Sequence, residues 1–306
     1  MNKILTPQQE NQWKNQGWVV LKNFLDVEQC TKDMKKHYPP NLKNPIQDFG
    51  SDGLTNFPCK YNSLNNITVD KKLISAVKQL LNTNDILLTQ SVAWAKYGVV
   101  SNDSNSNNDQ RIHMDWGNHY WTHPPTWEQP DMVTAIIYYS DTNIVGGHTS
   151  LVSREGENDT IYRWPYIHMP GIAGKPFFND KNTAEKHMNE EDKLLRQKCY
   201  DREVFQYTKP GDVLFYRMDL WHRGTPVKKN KVRYVHNLAW KKTSAQGICI
   251  WNKGWTQKMY RGWLEKFISN LTSSQRKTLG FPDINTLADK IKQGVLARYP
   301  LLKSKL

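Results

Sequence analysis

Four residues scattered over more than a third of the chain constrain its fold most. His113-Met114-Asp115 is answered far downstream by His222, and eleven residues beyond that by Arg233. A strand places residues i and i+2 on one face, roughly 6 to 7 Å apart, so one imidazole and one carboxylate can converge on a single ion. A distant second His completes a three-ligand face, and two His with one carboxylate, the other positions left open, suit a non-heme Fe(II) centre. The second His lies in the segment Lys209 to Gly224, whose opening Lys209-Pro210-Gly211-Asp212-Val213-Leu214-Phe215-Tyr216 alternates Val213 and Phe215 with Leu214 and Tyr216 as in a strand launched from a Pro-Gly turn. A further run, Val232 to Trp240, follows the basic loop Lys228-Lys229-Asn230-Lys231, so neighbouring strands are expected to carry His222 and Arg233.

At these residues the chain resembles the phytanoyl-CoA dioxygenase family of Fe(II)/2-oxoglutarate oxygenases, with its His-x-Asp, its Gly-Asp strand leading to His-x-Gly, and its Arg about eleven residues on. Leu5-Thr6-Pro7-Gln8-Gln9 and Gly17-Trp18-Val19-Val20-Leu21-Lys22-Asn23-Phe24-Leu25 follow the family's opening pattern. The resemblance spans residues 5 to about 242, loosely in the middle. It implies an α+β, mainly β fold: a double-stranded β-helix, or jelly-roll, with N-terminal helices over residues 1–242 and a basic helical extension over 243–306. It implies Fe(II) on His113, Asp115 and His222, with positions open for a bidentate 2-oxo acid and for O2. Arg233 would hold the far carboxylate of 2-oxoglutarate, because its planar fork bonds both oxygens and keeps its charge. Thr149 and Lys96 stand on strands where relatives place further cosubstrate contacts.

The implied reaction is oxidative decarboxylation to succinate and CO2 with hydroxylation of an unactivated carbon. In halogenating members of the wider family a small residue replaces the carboxylate, so Asp115 favours hydroxylation. The family's Pro-Gly-Ser-His turn is here Ser153-Arg154-Glu155-Gly156, which withholds any borrowed substrate preference. Trp116 and Trp121, in an aromatic cluster after the metal motif, are candidates for the substrate pocket, and Arg154 for an anionic group. A rival zinc site of His113, Asp115 and His119 would explain neither His222 nor Arg233. A small-molecule hydroxylase is the favoured function. An oxygenase acting on protein or nucleic acid, and a non-catalytic jelly-roll, stay open.

A net charge of +13 is concentrated after residue 226, where the balance is +14 and the preceding residues sum to −1. Such a face can draw in an anionic substrate, but without a nucleic-acid fold signature solvated helix surface is the simpler account. The four cysteines, Cys30, Cys59, Cys199 and Cys249, form no Cys-x-x-Cys pair, which argues against a zinc ribbon or disulfide framework. No run of 18 apolar residues and no secretory core are present, so a soluble, cytoplasmic protein is expected.

Helices are predicted over residues 6–16, over 26–38 with Asp26 as N-cap, and over 70–81 from the spacing of Leu73, Ile74, Val77, Leu80 and Leu81. Residues 41–68 look irregular. Strands are expected over 18–21, 86–100, 132–140 and 148–153, with Val92, Trp94 and Lys96 on one face and Ser91, Ala93, Ala95 and Tyr97 on the other. The Asn/Ser-rich stretch 101–109 should be a mobile loop. One helix is predicted over 183–200, and two more over 258–271 and 285–296.

Overall fold

The structure is a computed structural model that describes residues 3–42, 55–98, 109–116, 119–120, 124–164, 180–245, 262–281 and 283–305. Helix α1 (Pro7–Gln16) starts at a reciprocal cap: the Thr6 hydroxyl accepts from the Gln9 amide while the Gln9 side chain accepts from the Thr6 amide. It stops at Gly17, whose φ of 86° is left-handed. Helix α2 (Glu28–His37) begins one residue later than a cap at Asp26 requires. Val27 occupies the cap position, and Asp26 accepts from the Glu28 amide at 3.1 Å. Helix α4 (Lys71–Leu81) is capped by Asp70, which takes the amides of Lys72 and Leu73.

Two antiparallel sheets form the centre. The larger runs in the order β1 (Trp18–Leu21), β7 (Val213–Tyr216), β4 (Met132–Tyr138), β9 (Val232–Lys242), β3 (Ile86–Tyr97) and β2 (Thr55–Asn56). The smaller runs β6 (Glu203–Gln206), β5 (Thr149–Val152) and β8 (His222–Gly224). Alternation sorts the large sheet's side chains between two cores. Ala93, Ala95, Val133, Ala135, Phe215 and Trp240 pack with Leu73, Val77 and Leu81 of α4 on the helix side. Trp94, Ile136, Tyr138, Leu214, Tyr216 and Val235 pack on the other side, against Leu151 and Val152 of the smaller sheet and Trp221 just before β8. The faces expected for residues 91–97 are those observed. Gly211 shows why the turn before β7 is Pro-Gly: with φ at +89°, an added Cβ would lie 2.5 Å from the Leu25 carbonyl oxygen.

The C-terminal helices α8 (Gly262–Asn270), α9 (Ser273–Thr278) and α10 (Asp289–Arg298) follow. Phe267, Ile268 and Leu271 join the same buried cluster as α4, with Phe267 edge-on to Phe57 at 5.8 Å. The Gln275 amide group donates to the Val69 carbonyl at 2.9 Å.

Several local expectations are corrected. Residues 41–68, expected to be irregular, contain β2 and helix α3 (Asn62–Thr68). The single helix expected over 183–200 is two, α6 (Lys181–Lys186) and α7 (Glu190–Asp201), because the Asn189 side chain caps a new start by accepting from Asp192. Strand β6, helix α5 (Thr142–Val145) and helix α9 went unforeseen. His222 and Arg233 are not on neighbouring strands of one sheet but on facing sheets. Asp109, placed by sequence in a mobile loop, is anchored by an ion pair to Arg223. The rest of that loop, 101–108, lies outside the described residues, as does Cys249. Cys30, Cys59 and Cys199 are free thiols. No helix among the described residues is long and apolar enough to cross a membrane.

Candidate metal centre

The His113 segment joins the smaller sheet through one bridge. His113 and His222 exchange backbone hydrogen bonds at 2.9 Å in each direction, which sets their rings side by side with centroids 4.5 Å apart. Asp115 is not on a continuing strand, as the i, i+2 argument supposed. Its backbone turns away in a bend, its amide donating to the Met218 carbonyl at 3.0 Å, and the turn swings the carboxylate back between the imidazoles. Asp115 Oδ1 lies 3.5 Å from His113 Nε2, and Oδ2 lies 3.2 Å from His222 Nε2. One ligand atom from each of the three residues lies within 4.8 Å of the others, the one such cluster among the described residues. His119 is buried nearby but is not part of it.

Whether a metal fits is decided by tautomers. His113 Nδ1 contacts the Arg111 carbonyl and His222 Nδ1 the Leu220 carbonyl, both at 2.9 Å. A carbonyl only accepts, so each Nδ1 carries a proton and each ring turns Nε2, a lone pair whenever the ring is neutral, toward Asp115. Burial, and then the neighbouring His222, push the His113 pKa down to about 4, so that ring is neutral at physiological pH. Burial opposes ionisation of Asp115, but the imidazoles, His222 first, hold its carboxyl well below the ordinary range. For His222 burial lowers the pKa, and the adjacent carboxylate outweighs it and raises it. The His113 lone pair and the Asp115 carboxylate, facing one another at 3.5 Å with His222 beside them, require a shared cation, either a proton on His222 or a metal on all three. Ring nitrogens tied through their other N–H to carbonyls are the usual support of a metal-ligating His. The donor set and its orientation therefore fit a divalent metal with open positions.

Arg233 stands in the facing sheet on the inter-sheet side of β9. It is buried, and its Nη1 donates to the Gly147 carbonyl at 2.6 Å. Its guanidinium carbon sits 5.2 Å from the Trp94 ring centroid. Nε has no hydrogen-bond partner, and no carboxylate among the described residues pairs with it. Burial lowers its pKa, yet a guanidinium in that range stays charged. Gly147 makes room for it: with φ at +71°, a Cβ there would meet Arg233 Cδ at 3.0 Å. A charged, buried fork without a counter-anion is the kind of group an anionic ligand completes.

Lys96 pairs with Arg233 across β3 and β9, so both point to the same face, and its Nζ donates to the Thr225 carbonyl at 3.0 Å. Burial and then Arg233 push the Lys96 pKa well down. Thr149 on β5 is buried and accepts from the Tyr138 hydroxyl at 2.8 Å. Trp116 is half-buried beside the cluster of Tyr120, Met132 and Met218, and Trp121 lies outside the described residues. Arg154 is elsewhere. It sits over Trp127 at 4.8 Å, with Glu128 at 3.8 Å, in a pocket of about 470 Å³ lined also by Tyr162, Arg163 and Trp164. Sequence reasoning missed Tyr216, whose hydroxyl lies 3.4 Å from Asp115 and whose ring lies 4.7 Å from that of His222. It also missed Tyr138, Trp94 and Asn237. Inward alternation could have marked Tyr216, Tyr138 and Trp94, and only the register of β9 marks Asn237.

No protein-family model matches the chain, and no curated protein matches it by sequence. Solved structures do share its fold. The epimerase SnoN, in complex with Fe3+, α-ketoglutarate and nogalamycin RO, is 11% identical with a TM-score of 0.51, over 78% of this chain and 83% of that one. EctD from S. alaskensis, with 2-oxoglutarate and 5-hydroxyectoine, is 13% identical with a TM-score of 0.53, over 79% and 78%. The non-heme α-ketoglutarate-dependent carbocyclase SnoK is 12% identical with a TM-score of 0.50, over 78% and 84%. The chain has the fold of these non-heme iron, 2-oxoglutarate-dependent enzymes.

Proposed function

We propose that the protein is an Fe(II)- and 2-oxoglutarate-dependent oxygenase of the phytanoyl-CoA dioxygenase type that hydroxylates a small, anionic molecule. The observation that carries this reading is the pairing of two sites across one interior: the oriented His113, Asp115 and His222 donors on one side and the uncompensated Arg233 on the other. The two facing antiparallel sheets support a double-stranded β-helix, and the burial of Phe267 and Leu271 with α4 supports residues 243–306 as an extension packed on a catalytic unit of 1–242. Structures of the same fold hold Fe3+ with α-ketoglutarate and 2-oxoglutarate with 5-hydroxyectoine.

His113, Asp115 and His222 would hold the metal, and Arg233 the far carboxylate of the 2-oxo acid. Thr149 supports that role, since it accepts from Tyr138 and keeps its own proton to donate. Lys96, on the same face as Arg233, would offer the cosubstrate a further polar contact. Iron, 2-oxoglutarate and O2, when bound, supply oxidation with release of succinate and CO2. The chain's part is to orient them and to exclude water, which the apolar walls of Trp94, Ile136, Leu214 and Val235 favour. Trp116 and Trp121 are proposed to wall the substrate, and Arg154 to meet its anionic end. Arg154 lies three residues, about 10 Å of extended chain, beyond Leu151, the partner of His222. Succinate release from the purified chain, measured against a panel of carboxylated and phosphorylated metabolites, tests the reading. Release that needs both Fe(II) and 2-oxoglutarate and rises with one metabolite is expected; release independent of either cofactor overturns it.

A further inference from the structure

Strand β9 is interior to the large sheet, paired with β3 on one side and β4 on the other. From Val232 to Trp240 every residue on it is buried except Asn237. A half-buried side chain in the middle of an interior strand, on the inward face, is reached by solvent only through the space between the sheets. Asn237 therefore faces the space between the sheets, on the face of the large sheet that also carries Tyr216 and Arg233; His113 and Asp115 keep 16% and 23% side-chain exposure.

Its amide cannot rotate freely. Trp94 Nε1 donates to Asn237 Oδ1 at 2.9 Å, and an indole N–H only donates, so the oxygen faces Trp94 and the NH2 faces away. That NH2 has no hydrogen-bond partner among the described residues, yet it is not among the fully buried polar atoms that lack one, so it keeps some exposure to the space between the sheets. The register places it. Tyr216, which touches Asp115, lies in one cross-strand row with Thr134 and Ala239; the next row is Leu214, Ile136 and Asn237; the next holds Tyr138, Val235 and Trp94; and Arg233 with Lys96 follows. Asn237 thus stands between the Arg233 row and the row facing the metal ligands. The Trp94 indole spans the interval, its ring near the guanidinium and its N–H on Asn237.

We propose that Asn237 is a further cosubstrate-binding residue: its Nδ2 donates a hydrogen bond to the metal-side carboxylate of 2-oxoglutarate, while Arg233 holds the far one. This rests on the cosubstrate assignment above. A fixed donor with nothing to pair with is suited to an acceptor oxygen and rejects a donor.

The test is titration calorimetry of 2-oxoglutarate into the full chain loaded with Mn(II), with an anaerobic Fe(II) titration in parallel to read the visible charge-transfer band of the chelate. Asn237→Asp keeps the acceptor for Trp94 but turns an anion toward the carboxylate. It should weaken 2-oxoglutarate binding at least tenfold and displace the band, with Mn(II) affinity in the absence of 2-oxoglutarate unchanged. Trp94→Phe keeps the ring and frees the amide, and should weaken binding by a smaller factor with the same band displacement. Wild-type 2-oxoglutarate affinity and an unmoved band in both variants would overturn the role of Asn237 alone. A wild-type chain that binds Mn(II) but no 2-oxoglutarate would overturn the cosubstrate assignment itself.

Discussion

At the scale of single residues the site is built by opposing terms. Asp115 stays ionised although buried, because His222, its own pKa raised, sets positive charge beside it, and Arg233 stays charged although buried, because a guanidinium does not give up its proton easily. Removing one ligand should cost more than the ~10–100-fold that loss of a supporting contact costs a metal site. His113→Ala and Asp115→Ala are therefore expected to bind Mn(II) more than about 100-fold more weakly by calorimetry, and wild-type affinity in either would remove them from the ligand set. Arg233→Lys keeps the charge but loses the fork. 2-Oxoglutarate affinity should fall about tenfold or more in that variant while Mn(II) affinity holds, as one misplaced charge-assisted bond costs about 1.5 kcal/mol or more. His113, Asp115, His222 and Arg233 were legible because metal and carboxylate chemistry restrict the residue types and their spacing. Asn237 and Tyr216 were not, since an amide or phenol in a strand has many ordinary uses.

At the scale of elements the segment after β5 shows how a loop without regular structure is held. The Asp159 carboxylate accepts from the amides of Glu155 and Ile161 and from both Nη atoms of Arg202 on the far side of α7. Burial alone would raise its pKa, but the Arg202 fork and the two amides hold it below the ordinary value. Because the folded-state pKa is lowered, the stabilisation is complete above the ordinary carboxylate range and is lost as pH falls through the folded pKa. Asp159→Asn should lower stability by about 2 kcal/mol at neutral pH, discounted for the part-exposed Arg202. The difference from wild type should shrink below about pH 4 in paired denaturation curves; one that grows on acidification would show that Arg202 is not what Asp159 serves. Long periodic elements such as α4 and β3 were readable from sequence. Strand β6 and the α6–α7 break were not, because a four-residue edge strand has little periodicity and Asn189 acts as a cap only once the helix before it has ended.

At the scale of the whole molecule the large sheet separates two cores, one under the helices and one that contains the site. The C-terminal helices belong to the first. Phe267→Ala should cost about 3–5 kcal/mol, the usual loss for a buried Phe. Circular dichroism and tryptophan fluorescence should still report one shared denaturant midpoint. Two separated transitions would mean that residues beyond 243 fold on their own. The sequence alone singled out the residues proposed to bind a metal and a carboxylate, the strongly periodic elements, and which strand face each side chain takes, because these follow from side-chain chemistry and from periods of 2 and 3.6 residues. Only the tertiary structure decided that His222 and Arg233 stand in facing sheets rather than on neighbouring strands, that a bend after His113 returns Asp115 to the imidazoles, and that Asn237 is aimed into the space between. Those facts depend on pairing register and sheet packing between segments remote in sequence, and no local pattern encodes them.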